Sequence, residues 1–164
     1  MRTLAADAPD ARVVQIITAA LVIQTAHMVE HVAQVSQKFV LMMDQARGFL
    51  GAIFDLEWVH FVYNAGLEVA FLAAFLRWRR ADRTGVSSFL TVLVWVQGDH
   101  TVEHIAKMVQ YYALGITMGP KGLLGFVLPL IWLHFAFNLV VLTLVVLVWD
   151  HLRGNRFQPS RALA

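Results

Sequence analysis

Four long apolar stretches constrain what this chain can fold into more than any other feature of its sequence. They run over Val13–Val35, Phe49–Trp78, Val86–Met108 and Leu123–Trp149. Each is long enough to cross a hydrocarbon core of about 30 Å, which takes roughly 20 helical residues. Only helices and closed barrels satisfy the backbone in lipid, and continuous stretches of this length favour helices. The sequence therefore predicts an all-α membrane protein with four transmembrane helices.

The composition agrees with a surface made for lipid. Of the 164 residues, 59% are hydrophobic and 15% are charged, against about 45–50% and 25% in soluble domains. The chain has no cysteine, which excludes disulfides, thiolate metal sites, covalent c-type haem and cysteine-held iron–sulfur clusters. The cations do not form the basic stripe of a nucleic-acid binder. The expected partner is the lipid bilayer, and no nucleic acid is expected.

The distribution of Lys and Arg predicts the orientation of the spans. Nine of these residues lie at the termini or at the junction of the second and third stretches, and four lie at the opposite ends of the stretches, in or beside the other two connections. Short loops that are rich in Lys and Arg stay in the cytoplasm. Both termini and the connection Arg77–Arg83 are therefore expected to be cytoplasmic, as in an integral protein of a bacterial inner or plasma membrane.

An internal repeat divides the chain into two similar halves. Residues 24–37 align with residues 97–110 with seven identities in fourteen positions, and Trp58–Asn64 aligns with Trp132–Asn138. Two tandem two-helix repeats are predicted at 13–80 and 84–150, between an N-terminal segment 1–12 and a tail 151–164. Because each repeat holds two spans, both halves enter the membrane in the same sense. The pseudo-twofold axis should then stand along the membrane normal.

The repeat carries six of the seven histidines, and these share one depth. Each of the four helices has a histidine fifteen to seventeen residues from a charged anchor on the cytoplasmic side. At 1.5 Å per residue, this spacing corresponds to roughly 22–26 Å from the inner boundary. We therefore expect the imidazoles to form a layer in the outer half of the bilayer.

Each half combines the pattern H-x-x-E-H with a histidine on its second helix. Positions i and i+4 lie on one face of a helix, so two imidazoles can chelate one metal ion. Buried polar groups are costly in a bilayer unless they are satisfied by one another or by a cation. Asn64 and Asn138 are expected to orient an imidazole or a bound water. The predicted metal ligands are His27, Glu30, His31, His60, His100, Glu103, His104 and His134.

The residue types favour particular metals and chemistry. Nitrogen-rich ligation favours zinc, iron or copper over magnesium or calcium, with one or two ions in the site. If the protein is an enzyme, the metal would activate water or dioxygen in a redox or hydrolytic reaction. Glu30 and Glu103 are then the candidate catalytic residues, as proton carriers. A lipid-soluble substrate could enter sideways from the bilayer.

Three alternatives to a metal enzyme stay open at this stage. Facing histidines in a four-helix membrane bundle are also typical of a b-type cytochrome that holds haem b and transfers electrons. The chain could instead be a metal carrier or an accessory subunit of a larger membrane complex, or form a homo-oligomer. The polar layer could also be a hydrogen-bonded core without metal.

Several other polar and small residues follow the repeat. Gln24 and Gln97 could line the site or simply pack there, as could Gln37 and Gln110. Glycines recur where the outer connections meet the second span of each half, and we expect them to allow close approach of the chain; they are Gly48, Gly51, Gly122 and Gly125. Glu57, Glu68 and Asp99 have no counterpart in the other half.

Overall fold

The computed structural model describes residues 10–54, 56–80, 86–117 and 119–154 and contains four α-helices. These are α1 (Ala11–Phe39), α2 (Leu56–Arg80), α3 (Ser87–Met108) and α4 (Leu130–Gly154). The described residues include no strand, so the predicted all-α class is confirmed. The predicted segments 1–12 and 151–164 lie largely outside the described residues, and so do residues 81–83 of the connection Arg77–Arg83.

The second and fourth helices begin later than their apolar stretches. The stretch predicted from Phe49 becomes helical only at Leu56, and the stretch predicted from Leu123 only at Leu130. The spans predicted from hydropathy included these leading residues because they are apolar. Their backbone instead forms turns that fold against the end of the preceding helix, and in the second half these include a short 3₁₀ helix, Leu124–Phe126.

Three of the described helices are long and apolar enough to cross a membrane by themselves. The qualifying segments are Ala11–Phe39, Glu57–Arg79 and Leu130–Gly154. The α3 helix does not qualify, because Asp99, Glu103, Lys107 and two histidines lower its mean hydropathy.

Consecutive helices of the bundle run in opposite directions. Near the start of α1, Asp10 accepts a hydrogen bond from the backbone N–H of Arg12 and forms an ion pair with Arg77 at the end of α2. These donors hold the pKa of the Asp10 carboxyl below its usual value. Trp149, near the end of α4, donates its indole N–H to Thr18 of α1. We call this the terminal end, and the end that carries the α1–α2 and α3–α4 connections the connection end.

The interior of the bundle changes from apolar to polar along its length. Toward the terminal end, a core that includes Ile17, Phe71, Leu90 and Val145 is fully buried. Toward the connection end, the buried side chains are mostly polar and include all six repeat histidines. Large hydrophobic side chains meanwhile cover the outside of every helix. A polar interior inside an apolar exterior is the reverse of a soluble bundle.

The second half has one residue more than the first between two aligned positions of the repeat, and a π-helical turn begins the longer connection. Gln37 aligns with Gln110 at an offset of 73 residues, whereas Gly48 aligns with Gly122 at an offset of 74. The end of α3 continues into a π-helical turn at Val109–Ala113, next to this extra residue. π-Helices are rare, occur mostly as single turns and are frequent at functional sites.

Candidate metal centre

The first half of the chain brings three buried histidines together. His27 and His31 lie one turn apart on α1, and their Nε2 atoms are 3.1 Å apart. His60 projects from α2 toward the same point, with its ring centroid 5.4 Å from that of His27 and 5.0 Å from that of His31. One nitrogen from each residue lies within 4.8 Å of the other two. We call this group the first triad.

The second half of the chain repeats the arrangement. His100 and His104 lie one turn apart on α3 with their Nε2 atoms 3.3 Å apart, and His134 joins them from α4. The ring centroid of His134 is 5.7 Å from that of His100 and 4.8 Å from that of His104. These three residues form the second triad.

The separations within each triad suit one transition-metal ion. Imidazole nitrogens bind zinc at about 2.0–2.1 Å, which sets them about 3.3 Å apart around a tetrahedral ion. The Nε2 pairs at 3.1 Å and 3.3 Å already have this spacing. The third nitrogen of each triad lies within 4.8 Å of the other two and would complete three ligands by moving closer to them. A fourth position would stay open.

The two triads are neighbours in one layer. Between them, the ring centroids of His60 and His104 are 5.5 Å apart, and those of His31 and His134 are 6.2 Å apart. The structure thus brings all six repeat histidines into a single cluster. Two ions held by these triads would be close enough to share a small ligand.

Hydrogen bonds orient one of the ligands and leave other ring nitrogens without a protein partner. His134 donates its Nδ1–H to the backbone carbonyl of Leu130 at 2.7 Å, which leaves the Nε2 lone pair available to a metal. That Nε2 atom is buried and has no hydrogen-bond partner among the described residues. The same is true of the Nδ1 atoms of His27, His100 and His104.

Asn64 and Asn138 lie below the histidines, toward the terminal end, and join the two halves. Asn138 donates to the carbonyl of His134 and accepts a hydrogen bond from Gln24 at 3.0 Å. Asn64 donates to the carbonyl of His60 and accepts one from Gln97 at 2.9 Å. The amides therefore hold the histidine-bearing backbone and bridge α1 to α4 and α2 to α3. Among the described residues, the hydrogen bonds of both amides go to backbone carbonyls and glutamines, and their expected role in orienting an imidazole or a bound water stays a prediction.

The carboxylates of Glu30 and Glu103 point away from the triads and hold the connections. Glu30 accepts hydrogen bonds from the backbone N–H groups of Phe49 and Leu50, the first at 2.9 Å. Glu103 accepts equivalent bonds from Leu123 and Leu124. Both oxygens of each carboxylate are engaged, and neither residue joins the groups of potential ligand atoms. This placement departs from the expected ligand and proton-carrier roles, because the turning backbone supplies the partners that the carboxylates need.

Glutamine and glycine complete each of these connections. The side chain of Gln37 forms two hydrogen bonds with the backbone of Gly48, and Gln110 forms the same pair with Gly122. Gly48 and Gly122 have positive φ angles of 74° and 70°. A Cβ atom at either position would lie 2.1 Å from a carboxylate oxygen of Glu30 or Glu103. The repeated glycines are thus required where the connection folds over the carboxylate.

No protein-family model, curated protein or solved structure matches this chain. The function is therefore argued from the site alone.

Two features of the site were missed by the sequence analysis. Tyr63 and Phe137 pack against His27 and His100, each with ring centroids 4.8 Å apart. Their signal was present, since both are aromatic residues at the same position of the aligned W-x-H-F-x-x-N pattern. The second feature is a buried ion pair between Lys107 and Glu57, 2.8 Å apart. Lys107 aligns with Gln34, so the repeat gave no sign of it.

Proposed function

We propose that this chain is a four-span integral membrane protein that holds a dinuclear transition-metal centre between its helices. The observation that carries the proposal is the pair of histidine triads, each with two Nε2 atoms at the spacing of ligands on one ion. Three nitrogen ligands with an open fourth position are typical of metal sites that bind water or substrate. Each half of the chain would supply one ion-binding triad.

The membrane part of the proposal depends on α3, the helix with the lowest apolar content. Its polar residues His100, Glu103 and His104 are buried in the bundle, whereas Val92, Trp95 and Val102 are exposed on the outside. A helix with this distribution presents an apolar surface to lipid and needs the other three helices to cover its polar face. This supports a fourth span, with the two-helix repeats inserted in the same sense.

Reporter fusions test this topology. With both termini and the Arg77–Arg83 connection in the cytoplasm, fusions at residue 81 and at the C-terminus should both report a cytoplasmic location. A fusion in the α1–α2 connection, after Asp44, should report the opposite side. An external signal at only one of these two sites would contradict the four-span arrangement, and an external signal at both would reverse the predicted orientation.

The ligand atoms favour zinc, iron or copper. Both triads consist of imidazoles alone, and magnesium and calcium prefer oxygen ligands. A hydrogen-bonded core without metal is less favourable. In such a core the buried Nε2 of His134 has no protein partner among the described residues, and a buried polar group left unsatisfied costs about 1–3 kcal/mol. Two points stay predictions: the ions activate water or dioxygen, and a lipid-soluble substrate reaches them.

A bis-histidine haem fits this geometry less well. The six rings pack with centroid separations of 4.7–6.4 Å between neighbours, and a porphyrin between two of them would have to displace the others. The cavity beside the histidines has a volume of about 210 Å³, below the roughly 300–1,000 Å³ of pockets for larger ligands. Two metal ions use all six histidines without such a rearrangement.

Elemental analysis and a visible spectrum of the detergent-purified wild-type protein test the metal centre. Prepared without chelators, the protein should contain two zinc, iron or copper ions per chain, one for each triad, and no Soret band. A Soret band would move the assignment to haem. If the protein holds no metal and none can be reconstituted, the histidine layer is a hydrogen-bonded core and the proposal is wrong.

A further inference from the structure

The proposed centre has an excess of positive charge. Imidazole is a neutral ligand when it binds metal, so two divalent ions would bring about four positive charges into the bundle. Glu30 and Glu103 share their helices with the paired histidines, and their carboxylates are held by backbone N–H groups. Even if both carboxylates are counted against the four charges of the metals, about two positive charges remain in a medium of low dielectric constant. Glu57 adds nothing to the balance, because it is paired with Lys107.

A cavity at the connection end leads to both triads. Two histidines of each triad line it, namely His31 and His60 from the first and His104 and His134 from the second. Gly119 and Pro120 of the α3–α4 connection form part of its wall. Its volume of about 210 Å³ accommodates only a small molecule. A ligand in this cavity would reach both metal ions at once.

Lys107 and Glu57 also line this cavity, and they make its wall different in the two halves. Lys107 is only 6% exposed, and its ammonium is 2.8 Å from the Glu57 carboxylate. The equivalent residues of the other half, Gln34 and Ile131, also line the wall and carry no charge. The cavity therefore has one buried cation on one side, held by a carboxylate.

We propose that this cavity binds a small anion that bridges the two metal ions and is recognised by Lys107. The inference rests on the proposed dinuclear centre and adds the chemical class of its ligand. The anion balances the charge of the metals, and the cavity of about 210 Å³ limits it to a small molecule, since a cavity of about 150 Å³ already holds benzene. Glu57 holds the Lys107 ammonium at the wall and competes with the anion for it.

Azide and formate titrations of cobalt-loaded protein test this proposal. Cobalt(II) replaces zinc and reports a new ligand through its visible absorption, so each anion should change the spectrum and saturate at one anion per two metal ions. Lys107→Gln should raise the azide Kd about tenfold, since a charge-assisted hydrogen bond is lost. Glu57→Gln should lower it about threefold, because the ammonium is released to the anion. Damage to the fold would move both variants in the same direction.

Matched variants separate this inference from the proposed function. Lys121→Gln makes the same substitution on an exposed lysine of the α3–α4 connection, and the azide Kd should stay at the wild-type value. The double variant Glu57→Gln/Lys107→Gln leaves no unpaired charge and should still bind azide more weakly than the wild type. Two bound cobalt ions with no response to either anion, or an unchanged Kd in both Lys107 variants, overturns the anion site alone. A chain that binds no cobalt overturns the dinuclear centre itself.

Discussion

His31→Ala and His104→Ala proteins are each expected to retain about one metal ion per chain, against two in the wild type. Each substitution removes one of three ligands from a single triad. The two nitrogens that remain cannot hold an ion against a competing chelator, because zinc sites in proteins use three or four protein ligands. The other triad keeps its full ligand set. Metal content after dialysis against a weak chelator measures the loss, and the double variant should retain no metal.

Two control variants show whether such a loss is specific to the ligands. His151→Ala removes an exposed histidine outside the triads, and Thr101→Ala removes a buried hydroxyl that bonds within α3 to the carbonyl of Gln97. Both should retain two ions. If each single histidine variant loses both ions, the six histidines form one shared site. If each retains both, the triads are not the binding sites.

The histidine cluster could be predicted from the sequence because it depends on local helical geometry. The spacing of His27 and His31 places both on one face of a helix, and the internal repeat gives the same pair at His100 and His104. Equal depth on four helices then requires only that the helices be nearly straight and antiparallel. The structure brings these rings together, as the counts of residues along each helix led us to expect.

The role of the glutamates could not be predicted in this way, because it depends on the connections. Glu30 shares its helix with His31, and periodicity alone assigns both to the same site. The partners of Glu30 are backbone N–H groups at residues 49–51, about twenty positions further along the chain. These N–H groups point toward the carboxylate because the backbone at Gly48 is left-handed, and this conformation cannot be predicted from hydropathy. Because the residues from Phe49 onward are apolar, the sequence analysis also included them in the second span, although they lie before α2.

The sequence shows where the two halves depart from the repeat, but it does not show what these departures do in the structure. The offset between the halves rises from 73 residues at Gln110 to 74 at Gly122, so the second connection has one extra residue. Only the structure shows a π-helix at Val109–Ala113. Glu57 was noted as having no counterpart. Its partner Lys107 lies on a different helix, so no spacing rule connects the two. The features that make the halves unequal thus come from tertiary contacts.

Gly122→Ala is expected to lower the stability of the protein by about 3 kcal/mol, with a comparable effect for Gly48→Ala. An L-residue at a φ of 70° costs about 1–2 kcal/mol. The new methyl group would also lie 2.1 Å from the Glu103 carboxylate. That carboxylate cannot move aside without losing its hydrogen bonds from Leu123 and Leu124. Tryptophan fluorescence of the protein in detergent should show a Tm about 5–10 °C below that of the wild type.

Gly66→Ala is the matched control for this substitution. Gly66 lies within α2, and a Cβ atom there would meet no other atom within 4 Å. Because alanine is favoured over glycine inside a helix by about 1 kcal/mol, the Tm of the Gly66→Ala protein should equal or exceed that of the wild type.

The proposed role of the Glu103 carboxylate adds a second expectation. Glu103→Gln should also lower the Tm, because a neutral amide accepts backbone hydrogen bonds more weakly than a carboxylate does, and combining it with Gly122→Ala should cost less than the sum of the two effects. Additive losses would show that Gly122 does not act through the Glu103 carboxylate.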